Sequence, residues 1–566
     1  RVLTLEPDCD PAHAIPRALH VQYAGQEHYF SLAPARPMLV NLCALLDDYD
    51  PDLLLTSWGD TWLLPRLLDL AEKHGLPLPI NRDPDAVITQ RKERWYFSYG
   101  QIVYRGEQIH LFGRWHVDRH NAMLWSDYEL DGLLEMTRVT GLPLQTAARV
   151  SPGTGISSIQ MQTALRLHIL VPWQKQQVEE IKSSFDLFTA DQGGLVYQPV
   201  LGVHRNVAEI DFISMYPAIM VYCNISPETL DGAWAGGEPV PELNLSIDNS
   251  REGLVPQALG PLLKKRVALK QRFADMPAWD ARRRRDKRRA SALKWLLVTC
   301  FGYLGYKNAR FGRIEAHQAV TAYGRETLLR AKETAEDLGF DVLQMYVDGL
   351  WVQQAGKDRP EDFKPLLDEI GVRARLPIAL DGIYRWVVFL ASRQNPTRPV
   401  ANRYFGLFQD GEIKMRGIAA RRKDTPAWIA RVQMELLECL ARAPEPEDAL
   451  PQANICLSRR LAELRGGRVP PKELLLAQRI SREVEDYRSP SPAARAAQQL
   501  KNAGKLVKPG QRVRFVFTRG ATGVYAWDLP LPPDPATLDL ARYQELLLRA
   551  AAEVLEPFGV TEKRLC

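Results

Sequence analysis

Short stretches of the chain alternate apolar and polar residues or run apolar between turn signals. These are "VLTLEP" (2–7), "PDLLLTSW" (51–58) and "YFSYGQIVY" (96–104), and each reads as a strand. Between them "WLLPRLLDLAEKHG" (62–75) carries its leucines at helical spacing and stops at Gly75. The first 150 residues therefore read as an α/β unit, closed by the polar connection "RVSPGTGISS" (149–158). Helical spacing holds from 159 to 190, until "DQGGLVYQP" breaks it. A strand, "NVAEIDF", then runs into "ISMYPAIMVY", and residues 258–301 read as two long basic helices separated by the turn "ADMPAWD". A helix over 314–338 leads into the hairpin "VLQMYVDGLWVQQ" (342–354), broken at Asp-Gly. After "RRKDTPAW" the chain reads as helical and Arg-rich, apart from the strand "GQRVRFVFTRG". No internal repeat or low-complexity tract interrupts this order.

A chain of 566 residues exceeds one ordinary core, and at about 100–200 residues per domain it divides into three to five units. Hydrophobic content of 46% and charged content of 25% are those of a globular protein that needs no membrane. No apolar run approaches a bilayer span, and no charged-then-apolar leader stands at the start. Residue 1 is Arg rather than Met, so sequence is expected upstream. Seven scattered cysteines, with no C-x-x-C pair, argue against a disulfide framework or structural zinc and suit a reducing cytoplasm. A net charge of +5 says little, but "RRRRDKRR" packs seven basic residues into positions 282–289. That run is either a solvated helix face or a contact with phosphates.

Two carboxylates are candidates for chemistry. Asp211 ends an apolar strand, a position that suits an oxygen-liganded Mg²⁺ ion but also an ordinary turn or cap. Asp348 sits at the Asp-Gly break, either as a hairpin corner or as the second half of a metal site.

The order of four longer segments resembles family B DNA polymerases. "DFISMYPAIMVYCNISPETL" (211–230) resembles their D-x-x-S-L-Y-P-S-I-I motif followed by N-x-S-P-x-T-L. "LKWLLVTCFGYLGYKNARFGRIEAHQAVTAYGRE" (293–326) resembles K-x-x-x-N-S-x-Y-G-x-x-G. "GEIKMRGIAARRKDTP" (411–426) resembles K-x-R-G-x-x-x-x-R-R-D, and "QRISREVEDYRSPSPAARAAQQLKNAGKLVKPGQRVRFVF" (478–517) a thumb segment of archaeal members. Aligning "YVDGLWV" on the D-T-D motif puts Tyr346 on the first Asp and Asp348 on the second; the other register puts Leu350 there.

The resemblance implies a multidomain α/β and α+β right-hand polymerase preceded by a ribonuclease-H-like domain of exonuclease type. The expected boundaries are 1–155 for the exonuclease-like domain, 156–255 for connecting helices and first palm part, 256–307 for fingers, 308–425 for second palm part and 426–566 for thumb. It implies two Mg²⁺ ions, with Mn²⁺ as substitute, held by Asp211, Asp348 and the Phe212 carbonyl. Ser214, Met215, Tyr216, Arg266, Lys270, Lys294, Val298 and Phe301 would face the incoming dNTP, with Tyr216 excluding a 2′-hydroxyl. Val298 and Phe301 stand where the family has Asn and Tyr, and their apolar character is equally that of core residues. Gly193, Gly194, Gly302, Arg403, Tyr404, Lys414, Arg416, Gly417, Arg421 and Arg422 would line primer–template DNA, positioning it without reading sequence.

The front domain departs from the family's exonuclease motifs. Glu6 and Asp8 stand in exchanged order, Trp58 replaces an Asn and Leu63 replaces an Asp, so Glu6, Asp8, Asp60 and Asp118 could only form a rearranged site. A leucine binds no metal, so proofreading is not expected, and the missing tyrosine in "DQGG" agrees with that. The resemblance implies templated DNA synthesis in repair or translesion synthesis, alongside unidentified replication or repair proteins, in the cytoplasm and nucleoid-associated in a prokaryote. The alternatives are a polymerase-like scaffold that holds primer–template DNA, and a nuclease. No sliding-clamp peptide is legible in "FGVTEKRLC".

Overall fold

The computed structural model describes residues 1–560 apart from 13, 84, 99, 100, 174–180, 191, 232–236, 275 and 278. Most of the "FGVTEKRLC" end, Cys566 and Asp191 of "DQGG" lie outside the described residues. The chain forms two compact units, one of residues 1–123 with 419–566, the other of residues 124–418. Among the described residues no helix is long and apolar enough to cross a membrane, and the six cysteines are free thiols.

The first unit holds a five-stranded sheet in the order Gln26–Ser31, Ala18–Tyr23, Val2–Pro7, Leu53–Thr56, Trp115–Asp118. The first three strands pair antiparallel and the last two join parallel. Leu3, Leu5, Leu19 and Leu54 bury the face covered by helices Ala35–Tyr49 and Leu64–His74. At roughly 1.5–3 kcal/mol per fully buried aliphatic side chain, that face is the main stabilising term here. The second helix ends at Gly75, whose φ of 62° is a left-handed cap that glycine adopts without strain. "YFSYGQIVY" is not one strand but parts of two, Arg94–Ser98 and Gln101–Arg105, paired antiparallel. The same unit carries helices Ala427–Arg442, Leu450–Arg465, Pro492–Asn502 and Leu540–Leu555, with a three-stranded sheet of Leu476–Arg479, Arg512–Phe517 and Val524–Ala526.

The second unit is built on a seven-stranded antiparallel sheet. Its order is Val196–Tyr197, Asp341–Tyr346, Gly349–Gln353, Gly202–Phe212, Ile378–Ala391, Pro399–Phe408, Ile413–Arg416. Ala208, Ile210 and Phe212 alternate onto one face, where they join a core with helices Met215–Tyr222, Leu254–Ala274, Ala281–Leu304 and Ile314–Asp337. Residues 207, 209 and 211 point to the other face.

The two basic helices are as expected, with Asp280 capping the second by accepting from the Arg282 N–H at 2.8 Å. The basic run, however, is partly paired within the unit. Glu129 on helix Trp125–Thr140 pairs with Arg284 at 3.0 Å and with Arg288. Buried Glu135 on that helix pairs with Arg289 at 2.8 Å and with Lys265. Asp286 takes Arg272 at 2.6 Å. A Cβ at Gly132 would lie 2.7 Å from the Arg288 carbonyl, so the helices meet where only glycine fits. Arg284, Arg288 and Arg289 are thus tied into ion pairs within the unit, while Arg282, Arg284, Arg285 and Lys287 remain exposed, as on a solvated helix face.

Candidate active site

Asp211 and Asp348 come together because the antiparallel register dictates it. Asp211 pairs with Gly349, and the Phe212 N–H donates to the Asp348 carbonyl at 2.9 Å. Leu350 pairs with Ile210 on the helix-packed face and is 0% exposed, so position 350 cannot face Asp211. The turn differs from an Asp-Gly type I′ corner. Gly349 already pairs with Tyr346, and the loop residues are Val347 and Asp348. Val347 adopts φ 58°, and the Asp348 N–H turns back to the Tyr346 carbonyl at 2.7 Å. A β-branched residue in the left-handed region stores about 1–3 kcal/mol of strain, a cost found where a turn serves a site.

Two further carboxylates complete the cluster, and the sequence reading missed both. Glu209 shares the Asp211 face by its i, i+2 position; it accepts from the Tyr384 hydroxyl at 2.6 Å and from Lys414 Nζ at 2.7 Å. Asp381 enters through a β-bulge. Strand Ile378–Ala391 pairs Leu380 with Ile210 and Gly382 with Glu209, which leaves Asp381 between them unpaired. Lys414 reaches Asp381 as well, at 3.3 Å. No local motif in "LPIALDGIY" marks Asp381; only the cross-strand register does.

The charge balance is strained. Burial pushes the Asp211 carboxyl up to about 8, helped by Asp348, Asp381 and Glu209 and opposed by Lys414. Burial also raises Asp348, against a backbone hydrogen bond and Lys294, which favour its charged form. Burial depresses Lys414, but Glu209 and Asp381 outweigh it and leave its ammonium more firmly protonated. Asp211 Oδ1 is buried without a hydrogen-bond partner, at a cost of about 1–3 kcal/mol. An orphaned carboxylate oxygen beside a second acid is what a divalent cation would satisfy, so these residues fit a metal. The side chain of Phe212 is core, so only its main-chain carbonyl is a candidate ligand. Among the described residues no group of three or more His, Cys, Asp or Glu forms a ready cage.

Cation affinity should therefore depend on pH. Below about 8 Asp211 keeps its proton, which an incoming ion must displace. Mn²⁺ binding to the DNA-free protein is expected to weaken as pH falls and to release protons at pH 7. Calorimetric titration in two buffers of different ionisation enthalpy reads that release directly.

Around the acids stand the cations and rings. Arg266 is buried enough to lower its pKa against the opposing pull of Asp211, and its Nη1 donates to the Ser214 hydroxyl. Ser214 itself adopts φ 55° ahead of helix Met215–Tyr222, where Met215 turns into the core and Tyr216 stays half-exposed. Lys270 and Lys294 are exposed. Val298 is 51% exposed, so that position is not core, whereas Phe301 is partly buried and packs against the core. Gly302 follows it in the same helix, partly buried. The Gly193 carbonyl accepts from Arg325 at 2.7 Å, and Gly194 abuts the Tyr216 hydroxyl.

Two residues expected on DNA do not present their side chains outward. Tyr404 is 3% exposed, its ring edge-on to Trp351 in the second core of the sheet. Lys414 is engaged by Glu209 and Asp381. Arg403 is half-buried and donates to the Ala391 carbonyl. Arg416 and Gly417 are exposed, as are Arg421 and Arg422 in the first unit.

In the first unit Glu6 is paired with Arg119 and accepts from the Ser57 hydroxyl at 3.1 Å. Asp8 is exposed and accepts from the Arg17 N–H at 3.0 Å. Trp58 stacks on His120 with centroids 4.0 Å apart, and Leu63 is 1% exposed in the core. Asp60 accepts from the Ile109 N–H at 2.8 Å and from Asn121 at 2.9 Å, while Asp118 accepts from the Asp60 N–H at 3.0 Å. Each of the acids offered for a rearranged site is thus engaged by a hydrogen bond or an ion pair within the unit.

The sequence model of DNA polymerase family B matches residues 150–350 and 400–552. The chain belongs to DNA polymerase family B. This family B chain is 29% identical to DNA polymerase 2 of Aeropyrum pernix over 438 residues, 76% of the chain and 51% of that protein. It thus spans about half the length of that relative. It is 23% identical to a DNA polymerase of Archaeoglobus fulgidus over 634 aligned positions, 99% of the chain and 76% of that protein. Its fold is that of the family B DNA polymerase from the hyperthermophilic archaeon Pyrobaculum calidifontis, with a TM-score of 0.67 at 22% identity, over 99% of this chain and 78% of that one. The multidomain right-hand fold of family B follows.

Proposed function

We propose that the chain is a DNA-templated DNA polymerase that adds deoxynucleotides to a primer 3′ end and has no 3′–5′ proofreading. The observation that carries this is the convergence of Asp211 and Asp348, with an orphaned Asp211 oxygen, beneath Arg266 and Lys294. Two divalent cations held by Asp211, Asp348 and the Phe212 carbonyl, Mg²⁺ or Mn²⁺, would stabilise charge on the attacking and leaving oxygens. The chain's own residues do the rest. Arg266, Lys270 and Lys294 bind the triphosphate and offset its charge, so that most of the rate comes from positioning and electrostatics. Tyr216 stands under the sugar and rejects a 2′-hydroxyl by clash. Val298 and Phe301 offer apolar contact to the base, and Lys414 holds Glu209 and Asp381 in place behind the acids. Gly193, Gly194, Gly302, Arg403, Arg416, Gly417, Arg421 and Arg422 line the primer–template, as the resemblance implied. The palm then comprises the seven-stranded sheet, the fingers the helix pair 254–304, and the thumb the helices after 426.

The loss of proofreading rests on Glu6 being neutralised by Arg119 and on Leu63 standing where an acid is needed. A polymerase with no corrective nuclease suits repair or translesion synthesis. The test is primer extension with Mg²⁺ and dNTPs on a templated primer. Extension is expected, and with nucleotides withheld the labelled primer should keep its full length. Tight DNA binding with no extension under any metal would favour a scaffold, and shortened primers would favour a nuclease.

A further inference from the structure

Tyr216 belongs to a column of three rings. It packs on Phe301 with centroids 4.5 Å apart and planes at 44°. Phe301 in turn stacks on His317 at 4.1 Å and 18°. The rings come from three helices, Met215–Tyr222, Ala281–Leu304 and Ile314–Asp337. His317 is anchored at its back, because its Nδ1–H donates to the Phe301 carbonyl at 3.1 Å. That carbonyl lies in the last turn of its helix, where no intrahelical donor remains; the Gly305 N–H goes to Tyr303. One imidazole therefore both caps the helix and backs the ring. Gly305 gives it room, since a Cβ there would come within 3.1 Å of the imidazole Cγ.

The other sides of Tyr216 are confined by backbone. A Cβ on Gly194 would stand 2.9 Å from its hydroxyl, and one on Gly324 would stand 2.9 Å from Cε1. Among these neighbours the one that can yield is the Phe301 side chain, and what stops it is His317. A steric filter discriminates only as far as it resists displacement.

We propose that His317 is a positioning residue for sugar selection: by backing Phe301 it keeps Tyr216 from giving way before a ribonucleotide. The inference rests on the polymerase reading above. His317 acts through two rings, Phe301 and then Tyr216.

The experiment measures single-nucleotide incorporation of a dNTP and the matching rNTP, each as kcat/KM, for the wild type, His317→Ala, His317→Gln and Tyr216→Ala. Glutamine keeps a donor for the Phe301 carbonyl but no ring, so it separates the cap from the stack. Both His317 variants are expected to lower the dNTP-to-rNTP ratio about three- to tenfold, the range that losing one ring–ring contact supports. The change should lie in the rNTP KM. An equal loss on both sugars, with the ratio unchanged in folded His317→Gln while Tyr216→Ala relaxes it, would overturn the proposal. If Tyr216→Ala also leaves the ratio unchanged, the sugar gate itself is refuted and this inference with it. If the wild type extends no primer, the polymerase reading is what fails.

Discussion

Replacing Asp348 with alanine is expected to cut primer extension roughly a thousandfold or more, with DNA binding retained. Asp348 and Asp211 are the two acids that the strand register brings into one place, and cation stabilisation of the transition state supplies several kcal/mol. Each 1.36 kcal/mol is about a factor of ten in rate, so losing one holder of the site removes about three orders of magnitude. The fold should survive, because Asp348 lies in a turn whose backbone hydrogen bonds do not depend on its side chain. Leu350→Ala serves as the contrast. It opens a cavity at a fully buried position, and should lower Tm by way of a loss of about 2–5 kcal/mol while the folded fraction keeps its activity. Single-turnover extension, normalised to folded protein, tells these apart. Retained activity in Asp348→Ala would refute the two-acid site.

The second large effect concerns stability. Asp211→Asn is expected to abolish extension and at the same time raise the Tm of the metal-free protein above pH 8. The folded carboxyl titrates near 8, against about 3.9 in an unfolded chain. The folded state thus binds a proton that the unfolded state has released, and stability falls as pH rises through that window. Asparagine carries no charge and escapes the penalty. The gain, on the order of a few kcal/mol, should be full above pH 8, shrink as pH falls and vanish near pH 4. Millimolar Mg²⁺ should narrow the difference by stabilising the wild type. Thermal melts across pH, with and without metal, measure both. A lower Tm for Asp211→Asn at pH 8.5 would show that Asp211 is not strained.

The parts of this protein that were legible in sequence are those encoded locally. Asp211 ends a strand and is followed by its own motif; Asp348 lies in a hairpin whose alternation is plain in "VLQMYVDGLWVQQ". The two long helices were equally clear, because their spacing and the intervening turn lie side by side in the chain. What was not legible depends on partners far away in sequence. Asp381 reaches the site only through a bulge in a strand that pairs with residues about 170 positions earlier. The basic run 282–289 reads either as a solvated face or as a contact with phosphates, and no local signal shows Glu129 and Glu135 arriving from another helix to pair with Arg284, Arg288 and Arg289. Tyr404 and Lys414 were placed on DNA by their motif, yet strand alternation turns the first into the core and a buried glutamate captures the second.

The bulge at Asp381 also constrains how this sheet can vary. In a ladder every residue's facing is set by odd or even count, and one extra residue reverses that parity on one side of the irregularity. Deleting Asp381 would remove one acid and even out the ladder, with Leu380 still opposite Ile210 and Gly382 still opposite Glu209. The core side of the arm, Ile378 and Leu380, would keep its place against Phe212 and Ile210. The extra residue is thus what adds an acid to this face while leaving the hydrophobic side of the strand undisturbed.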